Sequence, residues 1–193
     1  MMDNHIHDKK KSRIKATAMA LASVILLGSI LAVATFAATG VKSAEAHECP
    51  SSGCITEGRM TGGGKIIDEA NSTIIATHGF ELRCDVADTR DNLEINWNGG
   101  NNFHLDSLTD VRCLDDPTIQ PQPPNASFDR YEADGFGSVN GVSGYQIHFE
   151  FMDAGEPGSL DHAFIVIHGG SPDTTVLTIN GYLNMGNHQA HKA

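Results

Sequence analysis

From residue 58 onward the apolar positions alternate with polar ones instead of recurring every three or four residues. His78, Phe80, Leu82 and Cys84 fall on one face of an extended segment, and Gly79, Glu81, Arg83 and Asp85 on the other. Leu93, Ile95 and Trp97 alternate with Glu94 and Asn96 until Asn98-Gly99-Gly100-Asn101-Asn102 breaks the chain. Phe103 and Leu105 then resume with His104 and Asp106 pointing away, which predicts a hairpin with a loop longer than two residues. It also brings Trp97 and Phe103 together in the core. After a further strand over 128–139 and a turn at Asn140-Gly141, Tyr145, Ile147, Phe149 and Phe151 alternate with Gln146, His148, Glu150 and Met152. The continuous apolar run 163–167 predicts a strand buried on both faces. Residues 176–179 and 182–183 close the domain, with 186–193 as a polar tail. Residues 114–125 hold Pro117, Pro121, Pro123 and Pro124, cannot sit inside a sheet, and predict an ordered surface loop. Short strands separated by Gly, Asn, Asp and Pro, with no amphipathic helix, predict an all-β domain. Its expected form is an antiparallel β-sandwich or Greek-key-like barrel.

The first 46 residues follow another pattern. A basic run, Lys9-Lys10-Lys11 with Arg13 and Lys15, precedes the apolar stretch 16–38, and Ala44-Glu45-Ala46 supplies an A-x-A cleavage pattern. The expected organisation is a signal peptide or uncleaved anchor over 1–46, a short segment over 47–57 and a single domain over 58–193. Cleavage after Ala46 releases a soluble protein; without it, residues 16–38 are long enough to hold the chain in a membrane. Both outcomes place the domain outside the cytoplasm, extracellular or at the cell surface.

Charge then narrows the partners. Six of the 13 Lys and Arg and three of the 24 Asp and Glu lie in the first 46 residues. The remainder has seven basic and 21 acidic residues and a formal charge of −14. Such a surface repels nucleic acid and anionic lipid and attracts divalent cations, and it also keeps an exported domain soluble. A nucleic-acid partner is excluded on this ground, and membrane contact is expected only through 16–38.

All four cysteines, Cys49, Cys54, Cys84 and Cys113, follow the signal. Export favours two disulfides, for which three pairings exist. A Cys49–Cys54 bridge would close a small turn over Pro50-Ser51-Ser52-Gly53; a Cys84–Cys113 bridge would close a loop of roughly 30 residues, stabilising by about 3 kcal/mol on the loop-entropy account. Asn71-Ser72-Thr73 and Asn125-Ala126-Ser127 match the glycosylation sequon.

Several segments taken together carry a resemblance. They are Gly58-Arg59-Met60-Thr61-Gly62-Gly63-Gly64, Thr77-His78-Gly79-Phe80-Glu81-Leu82-Arg83-Cys84-Asp85, Asn92-Leu93-Glu94-Ile95-Asn96-Trp97 and Phe103-His104-Leu105. Cys113 with Asp115-Asp116-Pro117, Asp153-Ala154-Gly155-Glu156-Pro157-Gly158 and Gly186-Asn187-His188-Gln189-Ala190-His191 follow in order. The set resembles the post-COAP family of secreted bacterial and archaeal domains, over nearly the whole chain from Gly58. The resemblance implies an exported all-β domain in which Cys84 pairs with Cys113, and it supports pairing Cys49 with Cys54 in an added segment. It implies no activity and no catalytic residues.

Three kinds of chemistry have candidate residues. Calcium needs six to eight oxygen ligands, and the bent loop 153–161 offers Asp153, Glu156 and Asp161 with backbone carbonyls. The same loop also reads as an acidic turn whose carboxylates accept local N–H groups. For a zinc or copper ion, His188 and His191 form an H-x-x-H pair, and His148 with Glu150 share one strand face. Catalysis has less to stand on: no G-x-S-x-G, H-E-x-x-H or P-loop pattern occurs, and Cys84, though on the face of His78, is expected in a disulfide. The expected function is therefore an extracellular binding or structural module, its partner a glycan, a cell-surface polymer or a protein. The alternative is a small secreted hydrolase using paired carboxylates.

Overall fold

The computed structural model describes residues 55–120, 126–169 and 174–192. The signal segment, Cys49, Cys54 and the prolines at 121–124 lie outside them. Eight strands follow one another, β1 (Arg59–Ile67), β2 (Ile75–Arg83), β3 (Asn92–Trp97), β4 (Asn101–Leu114), β5 (Arg130–Val139), β6 (Val142–Met152), β7 (His162–Gly169) and β8 (Thr174–His191). Each pairs antiparallel with the next, and β8 returns to β1, so the sheet closes into a barrel. The all-β expectation holds. The connectivity is an up-and-down meander instead of a sandwich or Greek key: each strand pairs with its neighbours in sequence, and the β1–β8 pair leaves no edge to cover.

An eight-stranded barrel has an interior just wide enough to be filled by side chains. Here Met60, Leu82, Phe103, Tyr131, Phe149 and Phe151 are all fully buried. Aromatic rings form a column through it: Tyr131 on Phe149 at 6.0 Å, Phe149 on Phe151 at 4.9 Å and Phe151 on Phe80 at 4.4 Å. Truncating one such ring to alanine costs about 3–5 kcal/mol, so the column is a large part of what holds the barrel. Phe103 faces Ile95 across the β3–β4 pair, while Trp97 sits opposite Asn101, packed against the core but only partly buried.

Two sequence expectations are corrected. Residues 163–167 are not buried on both faces. Ala163, Ile165 and Ile167 point inward and are buried, whereas Phe164 and Val166 lie half-buried on the outer wall. Residues 186–191 are no polar tail but the end of β8, paired with β1 from Arg59↔His191 to Ile66↔Leu183. Glycine permits this closing seam. A Cβ at Gly62 would stand 2.5 Å from the Asn187 carbonyl oxygen. Gly186 has φ +110° and its Cβ would lie 2.1 Å from the Gly63 oxygen.

The two ends of the barrel differ. One carries the turns after β1, β3 and β5, with the end of β7 and the start of β8. The other gathers residues 55–58, the β2–β3 loop 84–91, residues 115–120 and 126–129 between β4 and β5, the β6–β7 loop 153–161 and Lys192. Cys84 and Cys113 are bridged at this second end with Cα atoms 5.7 Å apart, the pairing the resemblance implied. Ile55 donates its N–H to the Cys113 carbonyl, drawing the incoming chain across the bridge. Tyr131 Oη donates to the Arg83 carbonyl at 2.8 Å beside it.

Candidate functional site

The disulfide end carries a pocket of about 470 Å³ lined by Thr56, Glu57, Gly58, Arg59, Arg83, Asp85, Asp88, Arg90 and Lys192. Strand ends β1 and β2 supply Arg59 and Arg83, and the β2–β3 loop supplies the rest of the far wall. Arg83 Nη2 donates to Glu81 at 2.7 Å, and its Nε lies 3.6 Å from Asp88. Arg90 clamps Asp88 and holds its carboxyl well below the usual range. Arg59 stands 3.6 Å from Glu81 and is half exposed. Lys192 is exposed and makes no ion pair among the described residues. Four of the seven Lys and Arg that follow residue 46 thus meet in one cavity.

The loop 153–161 borders the same end, and its three predicted ligands each accept N–H groups. Asp153 takes Gly155 N–H on Oδ1 (2.9 Å) and Ala190 N–H on Oδ2 (2.8 Å). Asp161, fully buried, takes Ala154 N–H on Oδ1 (2.8 Å) and His188 N–H on Oδ2 (2.6 Å). Glu156 Oε1 accepts Asn187 Nδ2–H at 2.9 Å. These bonds sew the loop onto β8, as an acidic turn does without an ion. Burial pushes the Asp161 carboxyl up to about 6 against the opposing pull of its two N–H donors.

His188 and His191 are not brought together. Residues three apart on a strand point to opposite faces. His191 Nε2 meets Thr61 Oγ1 at 2.8 Å, while His188 points into the barrel. There its Nε2 lies 2.7 Å from Nε2 of His78, 110 residues away in the chain, among Phe80 and Phe151. The Met152 carbonyl lies 3.1 Å from His188 Nδ1, so that nitrogen carries hydrogen. In a neutral pair His188 Nε2 is then the acceptor and His78 Nε2–H the donor. His78 Nδ1 is left buried without a regular hydrogen bond. Burial lowers His78 to about 4, partly opposed by the Gly64 backbone; burial, then His78, lowers His188 to about 3. Both rings are neutral in the folded protein near pH 7. The face shared by His78 and Cys84 is thus the barrel interior, and the disulfide removes the thiol.

A third group lies on the outer wall. Cross-strand pairing sets Glu132 opposite Glu150 and Asp134 opposite His148. Glu132, His148 and Glu150 each offer a ligand atom within 4.8 Å of the others, and this half-buried carboxylate–histidine group could hold a metal ion. His148 with Glu150 was legible from their shared strand face; Glu132 was not, because only the β5–β6 register brings it there.

The chain matches no known family profile, no curated protein and no solved structure.

Proposed function

We propose that this chain is an exported binding module that takes its ligand at the disulfide end of a solid barrel. The observation that carries the reading is the gathering of Arg59, Arg83, Arg90 and Lys192 around one pocket, in a region with a formal charge of −14. Cationic side chains kept together against that background suit a ligand that presents carboxylates and hydroxyls, as a glycan, a cell-surface polymer or an acidic protein segment does. The filled interior supports a ligand bound on the end of the barrel rather than inside it. Binding sites commonly sit on loops held by a rigid scaffold, and this end carries the bridge, the incoming chain and the long connections.

A buried disulfide suits an oxidising compartment, as the signal pattern does, and the post-COAP resemblance points the same way without adding an activity. The hydrolase alternative is less well supported. A glycosidase-type acid must hold a proton near neutral pH; in the pocket Asp88 is kept ionised by Arg90, and Asp129 and Asp161, raised by burial to about 6, do not line it. Calcium is not needed to satisfy the 153–161 loop, whose carboxylates already accept N–H groups.

The test is an amide NMR titration of the exported protein with galacturonate oligomers and, in parallel, with neutral galactose oligomers. Shifts confined to residues around Arg59, Arg83 and Lys192, with the acidic sugar only, are expected. The Arg59→Ala/Lys192→Ala variant should weaken binding by about tenfold, or 1.4 kcal/mol. Equal binding by the variant would refute the placement of the ligand.

A further inference from the structure

The outer-wall group on β5 and β6 holds more order than a ladder of surface ion pairs requires. His148 Nδ1 lies 3.0 Å from Asp134 Oδ1, so it is the donating nitrogen, and Nε2 carries the lone pair of the neutral ring. That Nε2 faces Glu150 Oε1 at 3.8 Å, with no hydrogen between them in this tautomer. A cation held between the two, whether a metal ion or a proton on Nε2, makes this 3.8 Å approach of ring nitrogen and carboxylate favourable.

The remaining contacts leave room for that charge. Glu132 directs Oε1 to Arg112 Nη2 at 2.5 Å, and Glu150 directs Oε2 to Arg130 Nη2 at 2.5 Å. Each glutamate therefore has one oxygen anchored and one left over. Glu132 Oε2 forms a 3.6 Å ion pair with Arg130 Nη2 but no hydrogen bond to it. The ring itself is held by edge-to-face packing on Phe164 at 5.9 Å. All three donors sit on paired strands, so their spacing is fixed by the sheet rather than by a loop.

We propose that Glu132, His148 and Glu150 form a site for a zinc-type divalent ion, with Asp134 as the positioning residue for His148. One imidazole nitrogen and two carboxylate oxygens are a zinc donor set. Tetrahedral zinc bonds of about 2.0–2.2 Å place neighbouring donors roughly 3.4 Å apart, close to the Nε2–Oε1 separation already present. Glu132 offers the third ligand atom, within 4.8 Å of the other two. A carboxylate behind the ligating histidine fixes its tautomer and raises its basicity, the role Asp134 fills. The fourth position opens to solvent on the wall. This site is separate from the pocket at the barrel end, and neither depends on the other.

The experiment is calorimetric titration of untagged, chelator-stripped exported protein with Zn²⁺, and then with Ca²⁺. One equivalent of zinc is expected to bind, and cobalt(II) in its place should give the absorption of a low-symmetry four-coordinate ion. Asp134→Asn should weaken zinc by about 10–100-fold. His148→Gln should abolish binding while leaving the metal-free thermal melt close to that of the parent. Zinc heats unchanged in His148→Gln, or no saturable zinc binding by the parent protein, would overturn the proposal and leave a protonated His148 as the positive charge in the group. Preference for calcium over zinc would overturn the assignment of the ion.

Discussion

Replacing His78 with phenylalanine isolates the effect of burying a neutral imidazole in this core. In an unfolded chain a histidine titrates near 6.5, and in the barrel burial lowers His78 to about 4. Between these values the unfolded chain binds more protons, so this residue makes stability rise with pH. Its contribution is fully present above pH 6.5 and is lost as pH falls towards 4. At about 1.4 kcal/mol per pH unit per proton, the whole window amounts to about 3 kcal/mol. Asp161 and Asp129, both raised by burial to about 6, act in the opposite sense. Their stabilisation is complete below about 3.8 and disappears as pH rises through 6, so the wild-type profile alone mixes the two signs. The difference between wild type and His78→Phe cancels the two aspartates and leaves the titration of His78 together with its effect on His188. Near pH 7 the variant leaves His188 Nε2 without its 2.7 Å partner, at a cost of about 1–3 kcal/mol, offset in part by a phenyl ring among Phe80 and Phe151. Near pH 4 that deficit should shrink or reverse. Urea unfolding followed by Trp97 fluorescence from pH 4 to 7.5 gives both curves. Parallel curves over that range would refute the claim that His78 is held neutral in the folded protein.

Reducing the bridge through Cys84→Ser/Cys113→Ser should lower unfolding free energy by about 3 kcal/mol, read in urea, since the pair closes a loop with a separation of 29 residues. Asp161→Ala removes the acceptor for two N–H groups, Ala154 and His188, and should destabilise by about 2–4 kcal/mol; hydrogen exchange should rise first at those two amides. Gly186→Ala should destabilise the β1–β8 seam more than any other strand pair, seen as accelerated exchange across 59–66 and 183–191, because its Cβ has no space against Gly63.

Alternation along 78–84, 93–97, 103–105 and 145–151 was enough to read strands and much of their inward faces. Phe80, Leu82, Leu93, Ile95, Phe149 and Phe151 all lie in the core as the pattern predicts. Closure was harder to see. Residues 186–191 read Gly-Asn-His-Gln-Ala-His, and their inward face is built from His188 and Ala190, which look polar or small in one dimension. The sequence cannot show that a histidine is paired with another inside a barrel. The clue was His78 itself, an imidazole at an inward position of an otherwise apolar face. The end pocket was less legible still: the β1–β2 pair sets Arg59 opposite Arg83, but Lys192 joins them only when β8 reaches β1. The acidic loop was visible as a loop, but whether its carboxylates serve an ion or backbone N–H groups depends on where β8 passes.

The closing seam also sets a timetable for biosynthesis. Thr61 on β1 bonds to a residue 130 positions downstream. At about 5–20 residues per second, a ribosome takes roughly 7–26 s to make that partner after β1 has been made. For that interval β1 can pair with β2 but presents a bare second edge, and bare edges recruit other chains. Glycines at 62, 63 and 64 leave that edge with few apolar side chains to reward a wrong partner. Zipping from β1 through β7 can proceed as the chain emerges, but the ring cannot lock until synthesis has passed β8.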